Sequence, residues 1–267
     1  MKAPDFGIRK VKETVRRLTA DGAAAALRRR SQPLPPLDGV LLVIAPHPDD
    51  ETLGCGGFIA RQARAGRRVH VLFVTDGEAS HPEHPALTRP ELADRRREEA
   101  IAALQALGVA QPRAAATFLG APDGALDRLP AEDATAVVDV LKRWIRADRP
   151  EIVLAPFLGG GSSEHDAVAT LVRRALAEQG GGRLLEYPVW AWCALRLRGQ
   201  VGSAQHNFRL DLGDLRAVKR QAILCHRTQV EPVPPWTEPI LPAAILGPCS
   251  GPTEFYFACE VPGAAAI

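Results

Sequence analysis

The stretch IAPHPDDETLGCGG, residues 44–57, places metal-ligating and acid–base side chains next to one another. His47, Asp49 and Asp50 follow directly on an apolar run, and Glu51 makes a third consecutive carboxylate. Three adjacent carboxylates repel one another, and burying them is costly unless a positive group lies among them. The stretch therefore predicts a cation at this point of the chain.

The ligand types and their spacing favour zinc. His47 and Asp50 are three residues apart, so a loop that turns into a helix can direct both side chains at one spot. Catalytic zinc sites typically have three protein ligands and one open position. His165, which follows a Gly-rich loop after another predicted strand, is the best candidate for the third ligand. We therefore predict one zinc ion per chain, with Asp49 free to act as general base on a water molecule whose pKa the metal lowers.

Two other interpretations of this stretch fit less well. Acidic residues often cap helices, but capping does not explain His47 and three carboxylates at the end of a buried strand. The run GCGG, residues 54–57, could be a nucleotide loop. Such a loop needs its glycines straight after the strand, whereas here the carboxylates come first and would repel phosphate.

The apolar pattern along the chain predicts the elements that position these residues. Continuous β-branched runs are typical of strands covered on both faces, and helical spacing of apolar residues predicts the helices between them. The predicted strands are 40–46, 69–75, 116–120, 151–157, 184–190, one strand just beyond 207, and 254–260. The predicted helices are 8–29, 52–65, 90–107, 131–147, 164–178 and 214–226.

Alternating strands and helices imply βαβ units, and hence an α/β fold with a mostly parallel sheet. In such a sheet the functional site lies beyond the carboxyl ends of the strands. The loops expected to form it are 46–51, 75–80, 120–124 and 157–165.

Composition sets outer limits on the function. The 267 residues suit a large α/β domain, and a net charge of +2 gives no global field that would favour nucleic acid. We expect neither a signal peptide nor a transmembrane helix. The five cysteines contain no CxxC pair, so we interpret them as free thiols and predict a cytoplasmic protein.

The N-terminal segment differs from the rest in charge. Residues 1–33 contain nine Lys and Arg against three Asp and Glu. We predict a basic amphipathic helix, which Gly22 could divide, followed by the Pro-rich linker SQPLPPLDG; residues 1–38 then precede a catalytic domain at 39–267. This helix either packs on the domain with its charges in solvent or makes weak contact with an anionic membrane.

The motifs together resemble those of the LmbE-like (PIG-L) N-acetylglucosaminyl deacetylases. PHPDDETLGCGG resembles the family's signature, and further motifs follow in the family's order. These are VTDGE (74–78), RREE (96–99), FLGAPDG (118–124), the loop of His165, and CHRTQ (225–229). The resemblance implies a Rossmann-like three-layer sandwich. It also implies zinc-dependent hydrolysis of the N-acetyl group of an N-acetylglucosamine-type sugar or its conjugate, with release of acetate.

The resemblance also assigns roles to individual residues. The family's zinc ligands match His47, Asp50 and His165, and its general base matches Asp49. Positions that contact the sugar in relatives match Arg96 and Asp123. The alternatives are a surface ion pair of Arg96 with Glu98 or Glu99, and ordinary turn chemistry for Asp123.

One motif departs from the family pattern. Relatives usually read His-Pro-Asp-His where this chain has Ser162-Ser163-Glu164-His165. Ser162 therefore replaces a histidine that helps to stabilise the oxyanion and protonate the leaving amine. A serine can donate a hydrogen bond to an oxyanion, but it is a poor general acid near neutral pH. Either another group such as His226 supplies the proton, or Asp49 serves both roles, or catalysis is weak.

Other side chains that could reach the site are aromatic. His81 and His84 lie on a loop near its expected mouth. Trp190, Trp192 and Trp236 could form a platform for a sugar, and the alternative for residues 184–192 is the core of a strand.

These patterns leave three hypotheses for the function. The first is a zinc-dependent deacetylase acting on a small amino-sugar conjugate. The second is a metal-holding, catalytically weak or inactive sugar-binding module, and the third is a zinc amidohydrolase acting on another amide. The acceptor stays open between a free sugar, a thiol conjugate, a glycolipid and an antibiotic, and the chain could form a homo-oligomer.

Overall fold

In the computed structural model, the described residues are 19–192, 197 and 207–261. Their strands are β1 (Gln32–Pro33), β2 (Leu41–Ala45), β3 (Val69–Thr75), β4 (Ala116–Ala121), β5 (Ile152–Pro156), β6 (Leu184–Tyr187), β7 (Asn207–Asp211) and β8 (Thr253–Cys259). Their helices are α1 (19–30, whose start lies outside the described residues), α2 (Asp50–Arg64), α3 (Arg89–Ala106), α4 (Pro112–Ala115), α5 (Ala131–Asp148), α6 (Ser163–Glu178), α7 (Leu215–Cys225), α8 (Arg227–Val230) and α9 (Ala243–Cys249). Short 3-10 helices span Leu126–Arg128 and Trp190–Trp192.

The described strands form one mixed sheet in the order β1-β7-β8-β6-β5-β2-β3-β4. Neighbouring strands are parallel except where β8 pairs antiparallel with β6 and β7. The predicted α/β fold with a mostly parallel sheet is therefore confirmed. The start of the predicted linker is part of the sheet, because Gln32 and Pro33 pair with Phe208 and Arg209.

The order of the strands creates a crevice beside β2. The chain runs from β2 to β3 and β4 on one side, and then crosses over to place β5 on the other side of β2. Such a reversal separates the connections at the carboxyl ends of the two neighbouring strands, where ligands bind in open α/β sheets. Both predicted zinc-ligand segments follow these two strands.

Helices cover both faces of the sheet. Successive side chains of a strand point to opposite faces. Val43 accordingly packs in one core with Phe58 of α2, while Ile44 packs in the other with Val138 of α5 and Val172 of α6. The three-layer arrangement implied by the family resemblance is thereby confirmed.

Most predicted boundaries agree with the structure within two residues. The strand predicted at 184–190 is an exception, because β6 ends at Tyr187 and the chain turns into the 3-10 helix Trp190–Trp192. The short helices α4, α8 and α9 are not among the predicted elements.

The described part of the N-terminal helix packs on the sheet. Helix α1 continues through Gly22, and Ala20 and Leu27 are buried in the same core as β2. The side chains predicted to form its apolar stripe, Ile8, Val11, Val15 and Leu18, lie outside the described residues. The domain boundary at 38 and contact with a membrane stay predictions. Within the described residues, no helix combines the length and apolar character needed to cross a bilayer.

Glycines allow α2 to lie very close to the sheet. A Cβ atom at Gly54 would overlap the ring of Tyr187, and one at Gly57 would overlap Leu212. Between these two glycines, Cys55 leaves the helical conformation, with φ −142° and ψ 20°. The GCGG run thus serves close packing and a break in the helix.

A buried ion pair serves the backbone groups at this break. The Nζ atom of Lys219 donates to Leu53 O at 2.8 Å and lies 2.7 Å from Glu254 Oε1. The carboxylate of Glu254 accepts from Gly57 N at 2.7 Å and from Phe58 N at 2.9 Å. Side chains of α7 and β8 therefore replace the hydrogen bonds that a continuous helix would make for itself.

Candidate active site

The site begins in a strained turn between β2 and α2. Asp49 has φ 152° and ψ −28°, a conformation that costs free energy for any residue other than glycine. Its backbone N–H donates to Glu51 Oε2 at 3.0 Å, and the preceding carbonyl of Pro48 accepts from Arg96 Nη2 at 2.7 Å. These two bonds hold the turn that exposes the Asp49 carboxylate to the crevice.

Three predicted ligands come together at the carboxyl ends of β2 and β5. The Oδ2 atom of Asp50 lies 3.2 Å from His47 Nδ1 and 3.3 Å from His165 Nε2. One ligand atom from each residue lies within 4.8 Å of the others. The Nε2 atom of His165 is buried and makes no hydrogen bond within the described part of the chain. Two imidazoles and one carboxylate fit a zinc ion well, and one of the imidazoles has a buried nitrogen without a hydrogen bond to the described residues.

The charges around this cluster also call for a cation. Burial opposes ionisation of Asp50, but His165 and His47 outweigh it and hold the pKa of its carboxyl well below the usual range. Burial lowers the pKa of His47, but Asp123, Asp50 and Glu164 together raise it well above its ordinary value. A positive charge is therefore stabilised here, and a dication would supply it.

Asp49 is buried beside these groups and faces a guanidinium. Its Oδ2 atom lies 3.2 Å from Arg96 Nη2. Burial raises the pKa of Asp49 to about 6, although Arg96 opposes the shift. A carboxylate with this pKa can accept and return a proton near neutral pH.

Arg96 is a buried residue rather than a surface partner of its neighbours on α3. Its side chain is 3% exposed, and Nη1 donates to Gly77 O at 2.8 Å. The glutamates suggested as alternative partners bond elsewhere, Glu98 to Arg113 and Glu99 to Thr228. The guanidinium therefore joins the loops after β2 and β3 at the position of Asp49.

Two further carboxylates face the other nitrogen of His47. Its Nε2 atom lies 3.1 Å from Asp123 Oδ1 and 3.1 Å from Glu164 Oε2. Burial raises the pKa of both carboxyls, but the contact with His47 outweighs it and leaves both pKa values below their ordinary ones. His47 is thus enclosed by three ionised acids.

These groups, except the buried His165, line a cavity of about 270 Å³. All four loops predicted from the strand ends contribute to it. The lining residues are His47, Asp49, Asp50, Ala79, Ser80, Arg96, Asp123, Gly124, Ser162, Glu164, Val189, Trp190, Gln229, Ile240 and Leu241. The volume lies just below the usual range for ligand sites, so the enclosed part of a ligand would be small.

Ser162 lines the cavity and is the N-cap residue of α6. Its side chain accepts from His165 N at 3.4 Å, as an N-cap does. The serine hydroxyl hydrogen stays available to the cavity, since in this bond the oxygen is the acceptor.

His226 lies behind the site rather than in it. It is 1% exposed and does not line the cavity. Its Nε2 atom lies 3.1 Å from Thr52 Oγ1 and 3.3 Å from Glu51 Oε1. Burial lowers the pKa of His226, but Glu51 and Asp49 outweigh it and raise the pKa above the ordinary value. His226 thus lies next to the carboxylate of Glu51, which accepts the hydrogen bond from Asp49 N.

Of the remaining aromatic candidates, one lines the cavity and the others pack elsewhere. Trp190 lines the cavity, whereas Trp192 is buried against Phe255. His81 stacks on Trp236 with centroids 5.2 Å apart, and His84 meets the same ring edge-on at 5.1 Å. Neither histidine lines the cavity.

Sequence reasoning did not identify the apolar wall of the cavity. Val189, Ile240 and Leu241 come from irregular segments after β6 and α8, which carry no periodicity. Gln229 has a signal, since it closes the CHRTQ motif, and its Nε2 donates to Ser80 Oγ at 3.3 Å.

The chain was compared with family profiles, curated proteins and solved structures. The profile described as "PIG-L: GlcNAc-PI de-N-acetylase" matches residues 42–176, which is half of the chain. A solved structure of a conserved protein from Thermus thermophilus, TT1542, is 28% identical with a TM-score of 0.53, over 71% of this chain and 79% of that one.

Two curated relatives carry the same name, 1D-myo-inositol 2-acetamido-2-deoxy-alpha-D-glucopyranoside deacetylase. The protein from Rhodococcus jostii is 30% identical, over 80% of this chain and 90% of the relative. The protein from Kineococcus radiotolerans is 32% identical over 60% of this chain, a match that spans 50% of the relative's own length. With the family profile and the mixed sheet, these likenesses show that the chain belongs to the PIG-L (LmbE-like) family.

Proposed function

We propose that the chain is a zinc-dependent N-deacetylase. It would hydrolyse the N-acetyl group of an N-acetylglucosamine-type sugar or its conjugate and release acetate. The observation that carries the proposal is the convergence of His47, Asp50 and His165 beside a buried Asp49, in a cavity at the carboxyl ends of β2 and β5. The deacetylase names of the curated relatives support the reaction.

His47, Asp50 and His165 would hold the metal. When bound there, zinc supplies Lewis-acid polarisation of the amide carbonyl and lowers the pKa of the attacking water. The carboxylates of Asp123 and Glu164 beside His47 support a cation at this position, because they stabilise a positive charge.

Asp49 moves the protons in this proposal. Its carboxylate accepts a proton from the attacking water as the new C–O bond forms. The same carboxyl returns that proton to the amine nitrogen as the C–N bond breaks, which yields acetate and the free amine. Its position in the cavity lining, beside the guanidinium of Arg96, supports both steps, while His226 does not line the cavity.

Ser162 would stabilise the developing oxyanion. Its hydroxyl hydrogen is available to the cavity, and a donor aimed at the place where negative charge develops lowers the barrier. Arg96 and Asp123 also line the cavity, so contact with the sugar stays part of the proposal for both. Trp190 and the aliphatic wall would face the apolar side of the ring.

Acetate release tests the proposal. Purified chain is incubated with N-acetylglucosamine, simple N-acetylglucosaminides and the inositol conjugate named for the relatives, and acetate is quantified. We expect release by the wild type and a loss of most of the rate in Asp49→Asn, with the zinc content unchanged. Asp94→Asn is the matched control, because Asp94 is 79% exposed on α3 and outside the cavity.

Each outcome separates the three hypotheses. Near-wild-type release by Asp49→Asn would refute the role of Asp49. Zinc binding with no acetate from any sugar would favour the binding module or another amide, and release of a different acid from other amides would identify the latter.

A further inference from the structure

The two nitrogen atoms of the His47 ring have different surroundings. Nδ1 lies 3.2 Å from Asp50 Oδ2, the oxygen on which His165 Nε2 also converges. Nε2 faces the opposite way, toward Asp123 Oδ1 and Glu164 Oε2 at 3.1 Å each. One edge of the ring therefore belongs to the ligand cluster and the other to a pair of carboxylates.

Both carboxylates are fixed from behind by backbone N–H groups. Asp123 Oδ2 accepts from Ala79 N at 2.6 Å. Glu164 Oε1 accepts from Gly124 N at 2.9 Å and from Leu126 N at 3.1 Å. Each acid thus has one oxygen bound to a loop and presents the other to His47.

We propose that Asp123 and Glu164 are positioning residues for the metal ligand His47. By accepting the Nε2–H hydrogen bond, they fix the tautomer in which Nδ1 carries the lone pair toward Asp50 and the metal. A hydrogen bond to the distal nitrogen of a ligating histidine orients the ring and increases its basicity. This inference rests on the zinc site of the proposed function, and it gives Glu164 a specific task at the position where the motif departs from its relatives.

The length of the Glu164 side chain matters in this arrangement. Glu164 lies in the first turn of α6, one residue before His165, and its carboxylate reaches across to His47 and to the loop at 124–126. A single side chain therefore couples the loop after β4 to ligands that follow β2 and β5. Loss of the charge on Glu164 should therefore weaken zinc binding even when no substrate is present.

Amide variants give a sharp test, because they exchange an acceptor for a donor. In Glu164→Gln the carbonyl oxygen can still accept from the loop, and the NH2 group then faces His47 Nε2. That contact favours the opposite tautomer, in which Nδ1 carries hydrogen and cannot bind a metal. Asp123→Asn makes the same exchange on the other side of the ring.

The measurement is zinc affinity by chelator competition, without substrate. We expect each variant to bind zinc about 10- to 100-fold more weakly than the wild type. Glu178→Gln is the control, since Glu178 ends the same helix and pairs with Lys142 and Arg174 far from His47. Affinities of both amide variants within twofold of the wild type would overturn the proposal.

A second readout uses the wild type alone. Nitrogen-15 NMR of the zinc-loaded chain should show His47 with hydrogen on Nε2 and metal on Nδ1. Metal on Nε2 would overturn the proposal, and so would a second zinc ion held by His47, Asp123 and Glu164. Wild type that binds zinc but releases no acetate would refute the deacetylase while leaving this inference tested by both readouts.

Discussion

At the scale of single residues, Asp49 combines a strained backbone with a buried carboxylate. Its φ of 152° places a non-glycine residue where glycine is normally required. The bonds from Asp49 N to Glu51 and from Arg96 to Pro48 O hold that conformation. Strain of this kind persists where the surroundings determine it, and here it directs the carboxylate into the cavity.

Because of this strain, we expect glycine at position 49 to give a more stable chain than alanine, the reverse of the usual order. Asp49→Gly and Asp49→Ala remove the same carboxylate, so they differ only in backbone preference. At an ordinary site alanine is the more stable residue, but here we expect the glycine variant to be more stable by about 1 kcal/mol. Urea unfolding of the metal-free variants measures the difference. An alanine variant at least as stable as the glycine variant would show that the turn is not strained.

Arg96 acts at the same point of the chain, and its neighbour on α3 provides a control. Arg96→Ala should lower kcat about 100-fold with unchanged zinc content, because the carboxylate of Asp49 loses the partner that orients it. Arg97 is 40% exposed and bonds to Asp76 outside the cavity, so Arg97→Ala should keep near-wild-type kcat. Equal rates for the two variants would contradict the role of Arg96.

At the scale of elements, the break at Cys55 separates the first turn of α2 from the rest of the helix. Lys219 and Glu254 satisfy the backbone groups that the break exposes, and both side chains are almost fully buried. A buried ion pair is sensitive to the loss of one partner, because the other is left as an uncompensated charge. The position of the first turn, which carries Asp50, therefore depends on α7 and β8.

Glu254→Gln should therefore destabilise the chain by about 3 kcal/mol or more. Combining it with Lys219→Met should recover part of that loss, since no unpaired charge then stays buried. Asp214→Asn is the comparison, because it breaks an ion pair with Arg64 in which Asp214 is 75% exposed, and it should cost less than about 1 kcal/mol. Denaturant unfolding of the three variants provides the measurement, and a cost for Glu254→Gln as small as that for Asp214→Asn would refute the account.

At the scale of the whole molecule, the candidate site joins segments that are far apart in sequence. His47 and Asp50 follow β2, whereas His165 follows β5 across the switch in strand order. An ion bound to both segments stabilises the folded chain and not the unfolded one. Ligand binding should therefore be visible as global stability.

Zinc at 100 times its dissociation constant should raise the free energy of unfolding by about 2.7 kcal/mol. Thermal or urea unfolding with and without zinc measures the effect. Asp50→Asn should lose most of it, and Asp94→Asn should keep it. An equal gain in Asp50→Asn would mean that zinc binds elsewhere.

The bounds of the buried strands could be predicted from the sequence, whereas the order of the strands in the sheet could not. β2 and β3 are buried on both faces, so their apolar runs match their observed bounds closely. The antiparallel insertion of β8 between β6 and β7 could not be predicted, because the apolar pattern of a strand does not determine which strands it pairs with.

The site shows the same division. The spacing of His47 and Asp50 and the strand-end rule led to a set of predicted ligands that the structure brings together, and to the loops that line the cavity. The place of His226 could not be predicted, because only the folded chain puts Thr52 and Glu51 against its ring. The loop at 231–241, which supplies part of the apolar wall, lacks any periodicity that would fix its path.

The most direct test of the central claim is acetate release as zinc is returned to chelator-stripped chain. With an N-acetylglucosaminyl substrate that the wild type hydrolyses, we predict release that rises in proportion to bound zinc and stops rising at one ion per chain. Asp49→Asn should bind the same zinc and release little acetate. Equal release by stripped and reloaded wild type, or equal release by Asp49→Asn, would contradict the account.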